Sequence, residues 1–237
     1  MTNYKWLEIK AHPDLHKSVI SIIDSLKLNK NIEILVLASW SWAFDLRLYN
    51  YGFKNITSVE INESEYKNNK SKIKEFKLID LNSFFSKNFN EKYDLIICME
   101  IIEHVYNPNN FLIESKKLLK DKNSQIIIST PNLQNLFSRI NYVLFWYPNY
   151  FIVRPWLYDH VSPIFHNIFE HLSEINWLKI QNTYFKNFFL KHFKFHGLRS
   201  YFYLIFILLL SPLIFIFSIF NRKYLFWSNS IFILSKL

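Results

Sequence analysis

Glu60 is the first residue whose position suggests chemistry. It closes the short apolar segment Ile56–Glu60, which follows a first apolar run (Ile34 to Ala38), a turn and a helical stretch containing Phe44, Leu46 and Leu48. An acidic side chain about 20 residues beyond such a turn is the layout of a nucleotide-binding crossover. The turn reads Ala38-Ser39-Trp40-Ser41-Trp42. Glycine serves in such turns because it adopts φ > 0 and lets the backbone approach a ligand closely. Here two indoles stand where a ligand is expected.

Other reactive groups also fall at segment ends. Asp80-Leu81-Asn82 ends the apolar run from Phe76, and Glu100-Ile-Ile-Glu-His104 follows the run from Tyr93 to Met99. His166, His171, His192 and His196 show no metal-ligand spacing, so no metal is expected.

Alternating strands and helices position these groups. Asp14 to Leu28 carries a helical stripe with Asp14 at the N-cap. Continuous apolar runs at Ile34, Ile56, Phe76, Tyr93 and Gln125 suit strands buried on both faces of a parallel sheet. Glu63 to Lys72 reads as an exposed helix, and Asn107-Pro108 starts a helix to Leu119. Ile164 to Ile175 reads as helix, Leu178 to Thr183 as a sixth strand and Ser230 to Leu234 as a seventh. This alternation predicts a doubly wound α/β sheet.

The chain has 237 residues, enough for one domain with appendages, and its single cysteine excludes an internal disulfide. No cleaved signal peptide is visible at the amino terminus. The net charge of +9 comes from dispersed lysines, so no nucleic-acid partner is expected. Glycine occurs only 2 times and tryptophan 7 times, although glycine averages about 7% of ordinary proteins.

The order and contents of these elements resemble the class I S-adenosylmethionine-dependent methyltransferases, particularly quinone-biosynthesis O-methyltransferases and surface-glycan methyltransferases. Residues 30–185 and the final strand carry the resemblance. Its most specific part is Tyr93-Asp-Leu-Ile-Ile-Cys-Met-Glu-Ile-Ile-Glu-His-Val, continuing through Asn107-Pro108 to Ile126-Ile-Ile-Ser-Thr-Pro-Asn132. The resemblance implies a Rossmann-like, seven-stranded doubly wound sheet, before whose last strand the uncharged run 201–220 would insert an apolar helical hairpin. It divides the chain into an N-terminal helical segment (1–30), a methyltransferase domain (31–200), the hairpin (201–223) and the returning strand (224–237).

It also implies roles. The turn 38–42 would pass under the methionine part of S-adenosylmethionine. Glu60, with Ile61 beside it, would receive the ribose hydroxyls, and Asp80 with the Leu81 backbone the adenine amino edge. Met99 and Glu100 would line the cofactor's other side. His104 and His160 would face the acceptor as candidate general bases, since imidazole titrates near neutral pH. Each has a plainer reading, as a strand-end carboxylate or a loop-orienting histidine. This chain departs from the family pattern at four cofactor positions: Val36 replaces an acidic residue, and Ala38, Trp40 and Trp42 replace glycines.

Two explanations fit the tryptophans. The fold has lost cofactor binding, or UGA codons that specify glycine in the source lineage have been read as tryptophan. Trp177 and Trp227 precede strands, and Trp146 and Trp156 adjoin proline-containing turns, all places where glycine would be ordinary.

Tyr201 to Phe220 contains no charged residue and is long enough to span a bilayer. Ser211-Pro212 disfavours one straight helix, and the final strand must return to the sheet. A monotopic hairpin on the cytoplasmic membrane surface is the expectation, with a buried lid or a single span as alternatives. The expected activity is methyl transfer to a small-molecule, lipid-linked or glycan acceptor. The alternative is an inactive, membrane-associated interaction partner with the same fold.

Overall fold

In the computed structural model of the protein, residues 2–12, 14–62, 73–148, 150–151, 160–188 and 227–237 are described, together with Tyr201, Ile205 and Leu209. A hairpin of two short strands, β1 (Thr2–Tyr4) and β2 (Leu7–Ile9), comes first. Helix α1 (Leu15–Ser25) follows and buries Leu15, Val19, Ile22 and Ile23 along one face. Asp14 takes its N-cap position without a side-chain cap bond. Strand β3 (Ile34–Leu37) leads through the 38–42 turn into α2 (Ala43–Asn50). Gly52, at φ 110°, turns the chain after α2, a conformation that L side chains rarely adopt.

Next come β4 (Ile56–Glu60) and β5 (Glu75–Leu78). The helix expected at 63–72 lies outside the described residues. Beyond it are β6 (Leu95–Met99), α3 (Pro108–Leu118), β7 (Gln125–Pro131) and α4 (Leu136–Phe145). The described chain closes with α5 (His166–Ile175), β8 (Leu178–Phe188) and β9 (Trp227–Lys236). Asn107 caps α3 by accepting from the Asn110 N–H at 3.0 Å, with Pro108 in the first turn. Proline suits that position because the amide it lacks would have no partner there.

Seven strands form one sheet in the order β5-β4-β3-β6-β7-β9-β8. β5, β4, β3, β6 and β7 run parallel, and β9 runs antiparallel to both neighbours. This is the Rossmann-like doubly wound sheet expected, with the last strand entering antiparallel beside the edge. β8 extends to Phe188, five residues past its expected end, because β9 pairs with it to that point.

Side-chain alternation in the central strands divides the core in two. Leu35, Leu37, Ile96, Cys98, Ile126 and Ile128 pack on one face with Phe111 of α3 and Phe169 of α5. Ile34, Val36, Leu95, Ile97 and Ile127 pack on the other with Leu15 and Val19 of α1 and Phe44 of α2. With both faces covered, the strands are apolar along their whole length.

The strand order reverses between β3 and β6. Ligands of open α/β sheets bind outside the carboxyl ends of the strands at such a switch point. Leu37, Glu60 and Met99 end there. Apart from Tyr201, Ile205 and Leu209, which are helical and exposed, the apolar hairpin at 201–223 lies outside the described residues. No helix among the described residues is long and apolar enough to cross a membrane.

Candidate active site

The β3–α2 turn forms the floor of the switch-point crevice. Ala38, Trp40 and Trp42 have φ of 58°, 55° and 66°, so the backbone adopts the left-handed conformation that glycine takes without steric cost. The Ser39 N–H donates to Val59 O at 2.9 Å, and the Trp42 N–H to Ser39 O at 3.1 Å. The turn is thus held to β4 and closed on itself.

The two indoles go different ways. Trp42 is 2% exposed. Its ring packs 4.7 Å from Phe76, with Leu7, Ile9 and Leu46 in the same cluster under the hairpin. It does not enter the crevice, contrary to the sequence expectation that both rings would. Trp40 does: its Nε1 donates to Met99 O at 3.4 Å, and its ring lies edge-on to His104 at 5.3 Å. It spans from the end of β3 to the end of β6.

Glu60 is buried at the end of β4. Its Oε2 accepts from the Trp40 N–H at 2.8 Å, and its Oε1 from the N–H groups of Ile61 at 2.9 Å and Asn62 at 3.3 Å. The carboxylate therefore faces the turn as well as the strand end. Below it lies a residue that the sequence did not single out. Asp45, in the first turn of α2, is hydrogen-bonded to the Ser58 hydroxyl. Burial pushes its pKa up to about 7; the Ser58 bond opposes that rise, and the nearby charge of Glu60 adds to it. No local pattern reveals this residue, because its burial depends on β4 lying against α2.

Asp80 lies two residues past β5, in an exposed turn. Its Oδ1 accepts from the Asn82 N–H at 2.9 Å, and the Ser83 hydroxyl donates to its carbonyl at 2.6 Å. This turn is formed by the side chain of Asp80, so the strand stops short of the expected boundary. Leu81 is buried against the core and Ile61 is 64% exposed. Val36, which stands where an acidic residue was expected, is a core residue on the α1 side.

Met99 ends β6 and Glu100 follows it. Glu100 sits at φ 48° and ties three segments together: its Oε2 accepts from the His12 N–H at 3.0 Å and its Oε1 from the Asn229 amide at 2.7 Å. Burial raises its pKa, and these two bonds oppose the rise. The structure thus gives Glu100 a knotting role between the amino-terminal segment, β6 and β9.

His104 and His160 come together, with ring centroids 4.5 Å apart and an interplanar angle of 77°. His160 Nδ1 lies 3.0 Å from the Tyr150 carbonyl. The N–H groups of Val161 and Ser162 donate to Glu103 O at 2.9 and 3.0 Å, and the Ser162 hydroxyl donates to Val105 O at 2.7 Å. These bonds strap the 160–162 segment onto the loop after β6.

Glu103, a second carboxylate with no distinguishing signal in the sequence, is fully buried. Among the described residues, its two carboxylate oxygens have no donor at hydrogen-bond distance, and its own backbone and then Thr130 only partly oppose the effect of burial. Burial first, and then the charge of Glu100, raise its pKa well above the usual carboxylate range. Glu103, His104 and His160 each place a possible ligand atom within 4.8 Å of the others. Such a group can share a proton or hold a cation.

Residues 41–178 match the model of a methyltransferase domain, and the chain belongs to that family. Over 145 residues it is 30% identical to a ubiquinone biosynthesis O-methyltransferase of Rickettsia typhi, covering 56% of this chain and 58% of that protein. The chain matches no more than 58% of the length of its curated relatives. Its fold is shared by an S-adenosylmethionine-dependent methyltransferase from Archaeoglobus fulgidus, with TM-score 0.63, 16% identity and coverage of 94% and 93% of the two chains. It is also shared by magnesium protoporphyrin IX methyltransferase from Synechocystis with bound S-adenosylhomocysteine, with TM-score 0.59, 11% identity and coverage of 94% and 83%.

The residues present fit S-adenosylmethionine on one side only. Glu60 offers a buried carboxylate at the end of β4. On the β3 side, the Trp40 ring lies between Met99 and His104, over the turn that the family resemblance assigns to the cofactor's methionine part.

Proposed function

We propose that this chain transfers a methyl group from S-adenosylmethionine to a hydroxyl oxygen of a small-molecule, lipid-linked or glycan acceptor. One observation carries the reading: the carboxylate of Glu60 and the His104–His160 pair lie at the same carboxyl edge of the sheet, on either side of the switch point. The carboxylate suits a ribose, since it can accept two hydroxyl bonds. The imidazoles suit removal of a proton from an acceptor hydroxyl. Identity to a ubiquinone O-methyltransferase favours oxygen as the methylated atom.

The uncharged run 201–220 and the exposed, helical Tyr201, Ile205 and Leu209 favour a lipid-linked acceptor met at the cytoplasmic membrane surface. The test uses protein purified from its own cells and S-adenosylmethionine labelled in its methyl group. Label should enter the lipid extract of those cells, and His104→Ala should abolish it. Label confined to water-soluble products would remove the lipid part of the proposal, and no transfer would remove the enzyme.

Trp40 favours a second reading. With an indole between Met99 and His104, the crevice is closed to the cofactor, and the fold would act as an inert interaction partner.

A further inference from the structure

We infer that positions 40, 42, 146 and 177 are glycine in the protein the cell makes, and that its cofactor crevice is therefore open. The identity of these residues does not depend on the proposed methyl transfer, whereas the use of the open crevice does.

The backbone supplies the observation. Among the described residues, nine that are not glycine have positive φ, and four of them are tryptophan: Trp40, Trp42, Trp146 and Trp177. Tryptophan supplies only 7 of the chain's 237 residues. A bulky side chain in this region is a genuine outlier, whereas glycine enters it freely. The remaining positive-φ positions are spread over lysine, alanine, glutamate and tyrosine.

Each of the four occupies a place with a reason for glycine. Trp40 and Trp42 lie in the turn under the cofactor position. Trp146, at φ 64°, ends α4 and sends its N–H back to Tyr142 O at 2.9 Å. Trp177, at φ 55°, follows α5 and sends its N–H to Glu174 O at 2.9 Å. A left-handed residue that returns its amide to the last helical turn is the usual glycine terminator. Trp146 is 82% exposed, with its ring edge-on to Tyr142 at 6.5 Å, and Trp177 is 70% exposed, so neither indole is buried in the core. Trp6 and Trp227, the other described tryptophans, do not have positive φ.

Loss of glycine by ordinary drift would scatter many residue types over these sites. Concentration in tryptophan points to one codon, UGA, inserted as glycine in the cell but read here as tryptophan. The same change would raise glycine above the 2 residues now in the chain and so narrow its deficit in part. Glycine at 40 would remove the ring between Met99 and His104 while leaving the backbone N–H that Glu60 accepts.

The test is tandem mass spectrometry of the tryptic peptide Asn31–Arg47 from protein isolated from its own cells. The expected spectrum shows glycine at 40 and 42, with the mass of both indoles missing. Tryptophan at either position would overturn the inference. A binding measurement separates the two proposals: the Trp40→Gly/Trp42→Gly chain should gain saturable S-adenosylmethionine binding that the tryptophan form lacks. Glycine in the peptide without binding by that chain would leave the assignment standing and overturn the methyl-transfer reading.

Discussion

The β3 side and the β6–β7 side of the switch-point crevice meet the same ligand-binding edge with different materials. On the β6–β7 side, Met99 through His104 and the 160–162 segment form a closely bonded unit, with Glu103 O holding two N–H groups at 2.9 and 3.0 Å. On the β3 side, the turn is bonded to β4, to itself and to Glu60, yet three of its five residues adopt a conformation suited to glycine. The backbone is firmly bonded on both sides, but a non-glycine residue at positive φ occurs three times in the β3 turn and once beside β6, at Glu100. Decay of a site would be expected to loosen the turn and its Glu60 contact as well; neither is loosened here.

The β6–β7 side should yield the largest effect. In the glycine-bearing chain, His104→Ala should lower kcat for methyl transfer by about 10²–10⁴, the usual contribution of a general base. His104→Gln should not restore it, because the amide does not titrate. A loss confined to KM would give His104 an orienting role and weaken the contrast between the two sides.

Asp45 tests the network beneath the β3 turn. Its pKa is about 7 in the folded chain and near 3.8 when unfolded, so the folded state retains a proton that the unfolded state releases. This contribution to stability is present below pH ~4 and is lost as pH rises to ~7, a change of up to ~4 kcal/mol. His16 works in the opposite sense. Burial first, with the Arg47 charge adding, pushes its pKa down to about 3, so stability falls as pH drops below ~6.5. The parent's own pH profile mixes the two. The difference between parent and Asp45→Asn in urea unfolding isolates Asp45, and it should shift in favour of the variant between pH ~4 and ~8. A pH-independent difference would contradict the buried, protonated state.

Glu60→Gln addresses the join between the two sides. The amide keeps the volume but loses one acceptor and the charge. Binding of S-adenosylmethionine to the glycine-bearing chain should weaken by about 10–100-fold, as expected for charged hydrogen bonds worth ~1.5–3 kcal/mol. An unchanged Kd would make Glu60 only a clamp for the turn.

Much of this was legible in the sequence. Ile34–Leu37, Ile56–Glu60 and Leu95–Met99 read as strands because both faces are buried, which leaves an uninterrupted apolar run. The β1–β2 hairpin was not legible: its strands are three residues each, and the Leu7 and Ile9 side chains pack only because α2 lies beneath them. Asp80 was placed at a strand end, but its own Asx turn ends the ladder first. Asp45 and Glu103 carry no signal in the sequence, because burial of a carboxylate depends on distant segments. His104 and His160 were identified individually, and their 4.5 Å pairing comes from the strap of the 160–162 segment onto Glu103.

The smallest effect belongs to the exposed helix ends. Trp146→Gly and Trp177→Gly should each stabilise the chain by ~1 kcal/mol by relieving a left-handed conformation, read as a higher urea midpoint at unchanged slope. Destabilisation at either site would show that the indole makes a contact of value.

Calorimetric titration of S-adenosylmethionine into the Trp40→Gly/Trp42→Gly chain tests the central claim most directly. The expected result is saturable 1:1 binding, weakened by Glu60→Gln and absent when Trp40 is present. A folded glycine-bearing chain that takes up no S-adenosylmethionine would contradict it and leave the inert-partner reading in its place.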